Sequence, residues 1–238
     1  MASRTGERTL RCAGGWARVG PWHDRPGVAL VAVTTETVLA PTAVRDCVAR
    51  VRAAGYRELV TGPLTATAAA PFLDAGFTLR EQLHLLVHSL GATLPPDRTA
   101  RLRRARRGDW TAVVELDTRA FPPAWRLGSS GLRDALRATP ASRFRVGQRE
   151  DDPIPVAYAV TGRSGRQGYL QRLAVHPAVR GRGLGRALVA DALGWVRRGG
   201  GHRCLVNTQV ENHEAVALYE ACGFRRLPSG LAVLGCAL

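Results

Sequence analysis

The stretch Leu173-Ala-Val-His-Pro-Ala-Val-Arg-Gly-Arg-Gly-Leu-Gly-Arg-Ala187 limits the fold of this chain more than any other. It reads as a hydrophobic strand ending at Val175, a tight loop with glycines at 181, 183 and 185, and a helix starting near Gly183. A strand that feeds a helix through so short a loop is an α/β unit, with the helix packed back on the sheet. Glycines let successive amides converge, and the unpaired N–H groups of a first helical turn, with the helix dipole behind them, stabilise phosphate. Arg180, Arg182 and Arg186 add charge-assisted donors. The loop is built for a pyrophosphate. No Gly-Lys-Ser/Thr follows, so it is not a Walker loop, and the glycine spacing is not that of a dinucleotide fingerprint.

The 238 residues suffice for one large domain or two small ones. Net charge is +15, from 34 basic and 19 acidic residues, and every basic residue is arginine. A bias that complete signals genomic composition rather than selection for a polyanion. It suits any anionic small ligand, and nucleic acid is not the expected partner. Five widely spaced cysteines (Cys12, Cys47, Cys204, Cys222, Cys236) form neither a disulfide framework nor a metal pattern, which points to a reducing compartment. The N-terminus lacks the apolar core of a signal peptide. The apolar run Val28–Val33 is far short of the roughly 20 residues that span a bilayer. The expectation is a soluble cytoplasmic protein with no membrane partner and no metal.

Pro95-Pro96 and the six arginines from Arg98 to Arg107 mark a boundary near residue 97, with the arginine run read as a solvated linker or helix face. This divides the chain into 1–97 and 98–238. Self-similarity links the two parts. Gly55-Tyr-Arg-Glu-Leu-Val60 resembles Gly201-His-Arg-Cys-Leu-Val206, and Ala75-Gly-Phe77 resembles Cys222-Gly-Phe224. Each copy runs helix, strand, helix, Gly-Phe turn, strand. Aligning Val60 with Val206 puts Thr37 and Leu39 at the places of Gly183 and Gly185, and the Gly-Phe pairs put Phe72 opposite Tyr219. The first copy is thus a degenerate half-domain without glycine loop or hydroxyl.

In the second part, helices are expected at 109–121, where Val113, Leu116 and Ala120 share a face, and at 132–138. Strands follow at 144–148, 156–161 and 169–175, then the glycine loop and a helix to Arg198. A strand at 204–208, a helix at 213–222 and a strand at 231–234 complete it. His84 and His88 lie in a closing strand of the first copy, so no metal site is expected there, and Glu150-Asp151-Asp152 reads as a hairpin turn. Phe121, Trp125 and Leu127 lie between two helices.

Residues 100 to 238 resemble the GCN5-related N-acetyltransferases. Their loop, Arg/Gln-x-x-Gly-x-Gly/Ala after hydrophobic-Ala-Val, is matched by Arg180, Gly183 and Gly185 after Leu173-Ala174-Val175. A second element is matched by Asn212, Ala215, Leu218, Tyr219, Gly223 and Phe224. The resemblance implies a mixed, partly splayed β-sheet flanked by helices, preceded here by the half-copy. It implies an N-acetyltransferase that moves an acetyl group from acetyl-CoA to a primary amine by direct attack. Backbone groups of Leu173, Ala174 and Val175 would pair with the pantetheine arm, and one amide would hold the thioester oxygen. The loop of Arg180, Gly181, Arg182, Gly183, Leu184, Gly185 and Arg186 would hold the pyrophosphate. Asn212 would touch the cofactor or cap its helix, and Tyr219 would protonate the leaving thiolate or serve as a core aromatic. The region between the first two helices, with Phe121, Trp125 and Leu127, would form the acceptor wall, or those residues would serve as core.

Relatives that acetylate protein N-termini carry a glutamate five residues before the asparagine. That position is Asn207 here, which cannot accept a proton. Glu211, His213, Glu115 and Asp117 are candidates, and a water chain is another, so no base is assigned. The acceptor stays open between protein N-terminus and small amine. The alternative is a non-catalytic acyl-CoA-binding regulatory module that touches nucleic acid or protein through its arginine-rich face.

Overall fold

A computed structural model of the chain describes residues 8–12, 15–22, 25–33, 38–91, 101–149 and 152–238. Pro95, Pro96 and Arg98 of the expected boundary, Thr37, and Glu150-Asp151 of the acidic turn lie outside the described residues. The chain divides into two compact units. One comprises residues 1–84, 209–211 and 228–238, and the other residues 85–208 and 212–227.

The first unit holds β1 (Arg8–Cys12), β2 (Gly15–Pro21), β3 (Val28–Val33), α1 (Pro41–Ala53), β4 (Glu58–Thr61), α2 (Ala66–Asp74) and the start of β5 (Thr78–His88). Strands β1 to β3 form an antiparallel meander, and β3 pairs with β4 in parallel through the crossover helix α1. The core gathers Val31, Val44, Val51, Leu59, Phe72 and Phe77.

The second unit carries β6 (Arg101–Arg104), α3 (Trp110–Ala120), α4 (Ser129–Arg137), β7 (Ala141–Gln148), β8 (Pro155–Ser164), β9 (Gln167–Val175), α5 (Leu184–Arg198), β10 (Arg203–Gln209, to Thr208), α6 (His213–Ala221) and β11 (Arg225–Arg226). The helices and strands expected over residues 98–238 are all present, with one or both ends of each moved by one to three residues. A last strand, β12 (Leu231–Ala237), belongs to the first unit. The arginine run departs from the expected linker. Arg101–Arg104 is a strand that pairs antiparallel with β7, and Arg103 makes a two-pronged ion pair with Asp109 at 2.7 Å. Asp109 supplies the fixed partner that a solvated run lacks, and the arginine holds its carboxyl below the usual range.

Helix α5 buries Leu188, Val189, Leu193 and Val196 against the sheet. A Cβ on Gly168 of β9 would stand 2.5 Å from the Val196 methyls, so only glycine permits this approach. On the other side, α3 and α4 pack Val113, Leu116 and Leu132 on Val146, Tyr158 and Ala174.

Two turns of the first unit carry the same hydrogen bonds as two turns of the second. Gly55 (φ 87°) donates to Arg52 O at 2.9 Å, and Gly200 (φ 81°) donates to Arg197 O at 2.9 Å. Hydrogen bonding therefore matches Gly55 with Gly200, not Gly201. Aligning those two turns would put Val38 and Ala40, ahead of α1, opposite Gly183 and Gly185. The Gly-Phe turns match as aligned: Phe77 N–H donates to Phe72 O and Phe224 N–H to Tyr219 O, both at 3.0 Å.

Candidate functional site

Strand β9 reaches the site with one edge open. Its parallel ladder with β10 joins Gln167–Tyr169 to Arg203–Leu205, whereas β9 runs on to Val175. On its other side, β9 pairs with β8 to the end, and His176 N–H donates to Val156 O at 2.8 Å. In an antiparallel ladder inward bonds alternate along the strand, so Arg172 and Ala174 bond to β8. The amides and carbonyls of Leu173 and Val175 point the other way, to the splayed edge. A register shift at Val160/Thr161 of β8 adds to the bend.

Beyond Val175, a single turn at Pro177–Val179 leads into the glycine loop. Gly181 and Gly183 sit at φ 76° and 81°, left-handed values that favour glycine. Gly183 is the N-cap of α5, and the first helical bond runs from Ala187 N–H to Gly183 O. The amides of Leu184, Gly185 and Arg186 thus precede the helical ladder. Arg182 and Arg186 are exposed. Arg180 points elsewhere: its guanidinium pairs with Glu214 at 2.8 Å and reaches Val175 O and Ala120 O at 3.5 Å. It fastens the end of β9 to α3 and α6.

Helix α6 completes the cluster. Asn212 caps it, its side-chain oxygen accepting from Ala215 N–H at 3.2 Å. A Cβ on Gly185 would meet Leu218 at 3.1 Å and Val175 at 3.8 Å, so loop, strand and α6 converge there. Tyr219 is buried beside Phe224, and burial pushes its phenol well above its ordinary value.

The profile of the Acetyltransferase (GNAT) family matches residues 110–224. Mycothiol acetyltransferase from Salinispora arenicola is 33% identical over 225 residues, covering 80% of this chain and 69% of that protein. The chain belongs to the GNAT family of acetyltransferases. It is an N-acetyltransferase. The GCN5-related N-acetyltransferase from Kribbella flavida superposes with a TM-score of 0.67 at 18% identity, covering 97% of this chain and 89% of that one. A tandem GNAT protein from the clavulanic acid biosynthesis pathway gives 0.66 at 15% identity, covering 94% and 79%. At those identities the likeness shows the fold.

This GNAT chain also holds a buried polar knot that the sequence reading did not assemble. Asp117 of α3, 1% exposed, accepts two bonds from Arg172 at 2.8 and 2.9 Å, one from Tyr158 OH, and one from Leu127 N–H at 2.6 Å. Arg172 also donates to Trp125 O at 2.6 Å, and its guanidinium lies 3.4 Å from the Phe121 ring centroid. The knot fixes residues 121–127 on β8 and β9. A signal existed: an acid four residues after Val113, on the apolar stripe of the helix. Asp117 is thereby committed to structure. Glu115, Asn207, His213 and Glu211 are exposed, Glu211 belonging to the first unit. Among the described residues no group of three metal-ligating side chains gathers, and no helix is long and apolar enough to cross a membrane.

Proposed function

We propose that the chain transfers the acetyl group of acetyl-CoA directly to a primary amine. The observation that carries this is the edge of β9 at Leu173 and Val175, left by β10 and touched only by Arg180 at Val175 O among the described residues, together with the uncapped first turn of α5 and the buried phenol of Tyr219. The loop of Arg180–Arg186 fits a pyrophosphate, with its amides, rather than Arg180's guanidinium, as the principal donors. Leu173 and Val175 would hold the pantetheine chain as a strand would. Bound acetyl-CoA supplies the activated thioester, and an edge amide of β9 stabilises the oxyanion as it forms. Tyr219 stays protonated across the working pH range and gives its proton to the thiolate sulfur as the C–S bond breaks, and the proton shed by the attacking nitrogen returns through water to the phenolate, so that amide, thiol and neutral Tyr219 remain. The amine enters as the free base, with no dedicated carboxylate assigned. Asn212 acts by capping the helix that carries Tyr219.

Direct attack is supported by the thiols. Cys204 is buried and pushed up to about 12, and burial also raises Cys222, so neither is a thiolate able to take the acetyl group. Residues 1–97 are proposed as the degenerate half-copy, matched in its turns but with Val38, Ala40 and Phe72 in place of the functional groups. Initial rates at varied acetyl-CoA and amine test the reading. Intersecting double-reciprocal lines are expected, and parallel lines would show an acetyl-enzyme and overturn it.

A further inference from the structure

The carboxyl end of α3 collects donors without acceptors. Four arginines belong to or contact residues 119–126: Arg119, Arg126, Arg172 through Trp125 O, and Arg180 through Ala120 O. Asp117 balances Arg172 and Glu214 balances Arg180. Among the described residues, Arg119 and Arg126 have no carboxylate partner; Glu115, one turn before Arg119, makes no ion pair with it. Arg126 Nε donates to Phe121 O at 3.2 Å, which leaves both its terminal nitrogens unused. The dipole of α3 offsets about half of one charge, so a positive excess remains.

Two details aim this excess. His176 directly follows Val175 and accepts the Ala178 N–H on Nδ1 at 3.2 Å. An amide can only donate, so the neutral ring carries its hydrogen on Nε2. That Nε2 lies 3.4 Å from Arg119 Nη1. Two donors face each other there, and an anionic oxygen between them would satisfy both. Secondly, Arg172 uses Nε and Nη2 on Asp117 and Trp125 O, and its Nη1 has no partner among the described residues. Stacked on Phe121 and clamped by Asp117, that nitrogen is a fixed donor next to Leu173.

We infer that the acceptor is an amine bearing a carboxylate, which Arg172 Nη1, Arg126 and the Arg119–His176 pair receive beside the open edge of β9. This rests on the acetyl-transfer reading above. A polycationic acceptor would meet like charge at this rim, and a neutral one would leave the donors unmatched.

The test measures kcat/KM of the full chain for the twenty amino acids, their carboxamides, and spermidine. Carboxylates are expected to exceed the matching amides by at least about tenfold, with spermidine poorest. Arg119→Gln with Arg126→Gln, both away from the core, should cut the carboxylate-to-amide ratio about tenfold. Preference for spermidine or the amides would overturn the inference while leaving acetyl transfer intact. A ratio unmoved by the paired exchange, with a raised KM for acetyl-CoA instead, would assign the clamp to coenzyme A and also overturn it. Coenzyme A binding without transfer to any amine would remove the underlying reading, and this inference with it.

Discussion

Replacing Asp117 by asparagine removes one charge and strands another. The carboxylate is 1% exposed, and its partner Arg172 has a side chain 11% exposed. Four hydrogen bonds converge on its two oxygens. An asparagine keeps a single acceptor oxygen, so it cannot serve both prongs of Arg172 together with Tyr158 and Leu127 N–H. Breaking one side of a buried pair costs about 3–5 kcal/mol because the surviving charge has lost its compensation. At roughly 2–4 °C per kcal/mol for a unit of this size, the melting transition of the second unit should fall by about 6–20 °C. Scanning calorimetry of the full chain reads this directly. The cycle through Arg172→Met is the control, since Asp117→Leu with Arg172→Met should recover much of the loss. An Asp117→Asn protein within about 1 kcal/mol of the parent would refute the claim that this pair is desolvated.

Further outcomes follow from the same geometry. Tyr219→Phe should lower kcat by about 10²–10⁴-fold while leaving coenzyme A affinity near the parent value, as measured by stopped-time thiol release and calorimetric titration. Gly183→Val places a β-branched residue at φ 81°, so it should weaken coenzyme A binding by more than about 100-fold, and equal affinity would overturn the loop assignment. His88 is buried, and burial lowers its pKa, so the folded state takes up this proton less readily than the unfolded chain. The unfolded chain binds the extra proton, so stability should fall as pH drops below its ordinary value of about 6.5, and His88→Phe should flatten that slope in urea titrations from pH 5 to 8. Asp109, held below the usual range by Arg103, adds stability above about pH 4 that is lost as pH falls further, a loss absent from Asp109→Asn.

Local chemistry made much of the second unit readable. The strand-loop-helix from Leu173 to Arg198 announces itself because glycine and arginine spacing is dictated by neighbouring residues, and helix periodicity at Val113, Leu116 and Ala120 is likewise local. The expectation of a solvated linker or helix face at Arg101–Arg104 fails because the strand there exists only through pairing with the distant β7, with Arg103 held by Asp109. The proposed half-copy depends on such distant pairing too: letters align Gly55 with Gly201, while the turn at Gly55 has the hydrogen bond of the turn at Gly200.

By itself the sequence determined the glycine loop between strand and helix, the order of the main elements and the helix that carries Tyr219, all of which depend on contacts within a few positions of the chain. Tertiary structure alone decided that Arg180 turns to Glu214, that β9 is open at Leu173 and Val175, and that Asp117 joins Arg172, Tyr158 and Leu127. Those groups lie 10 to 55 residues apart, and a guanidinium chooses its carboxylate only after the sheet has carried both to one place.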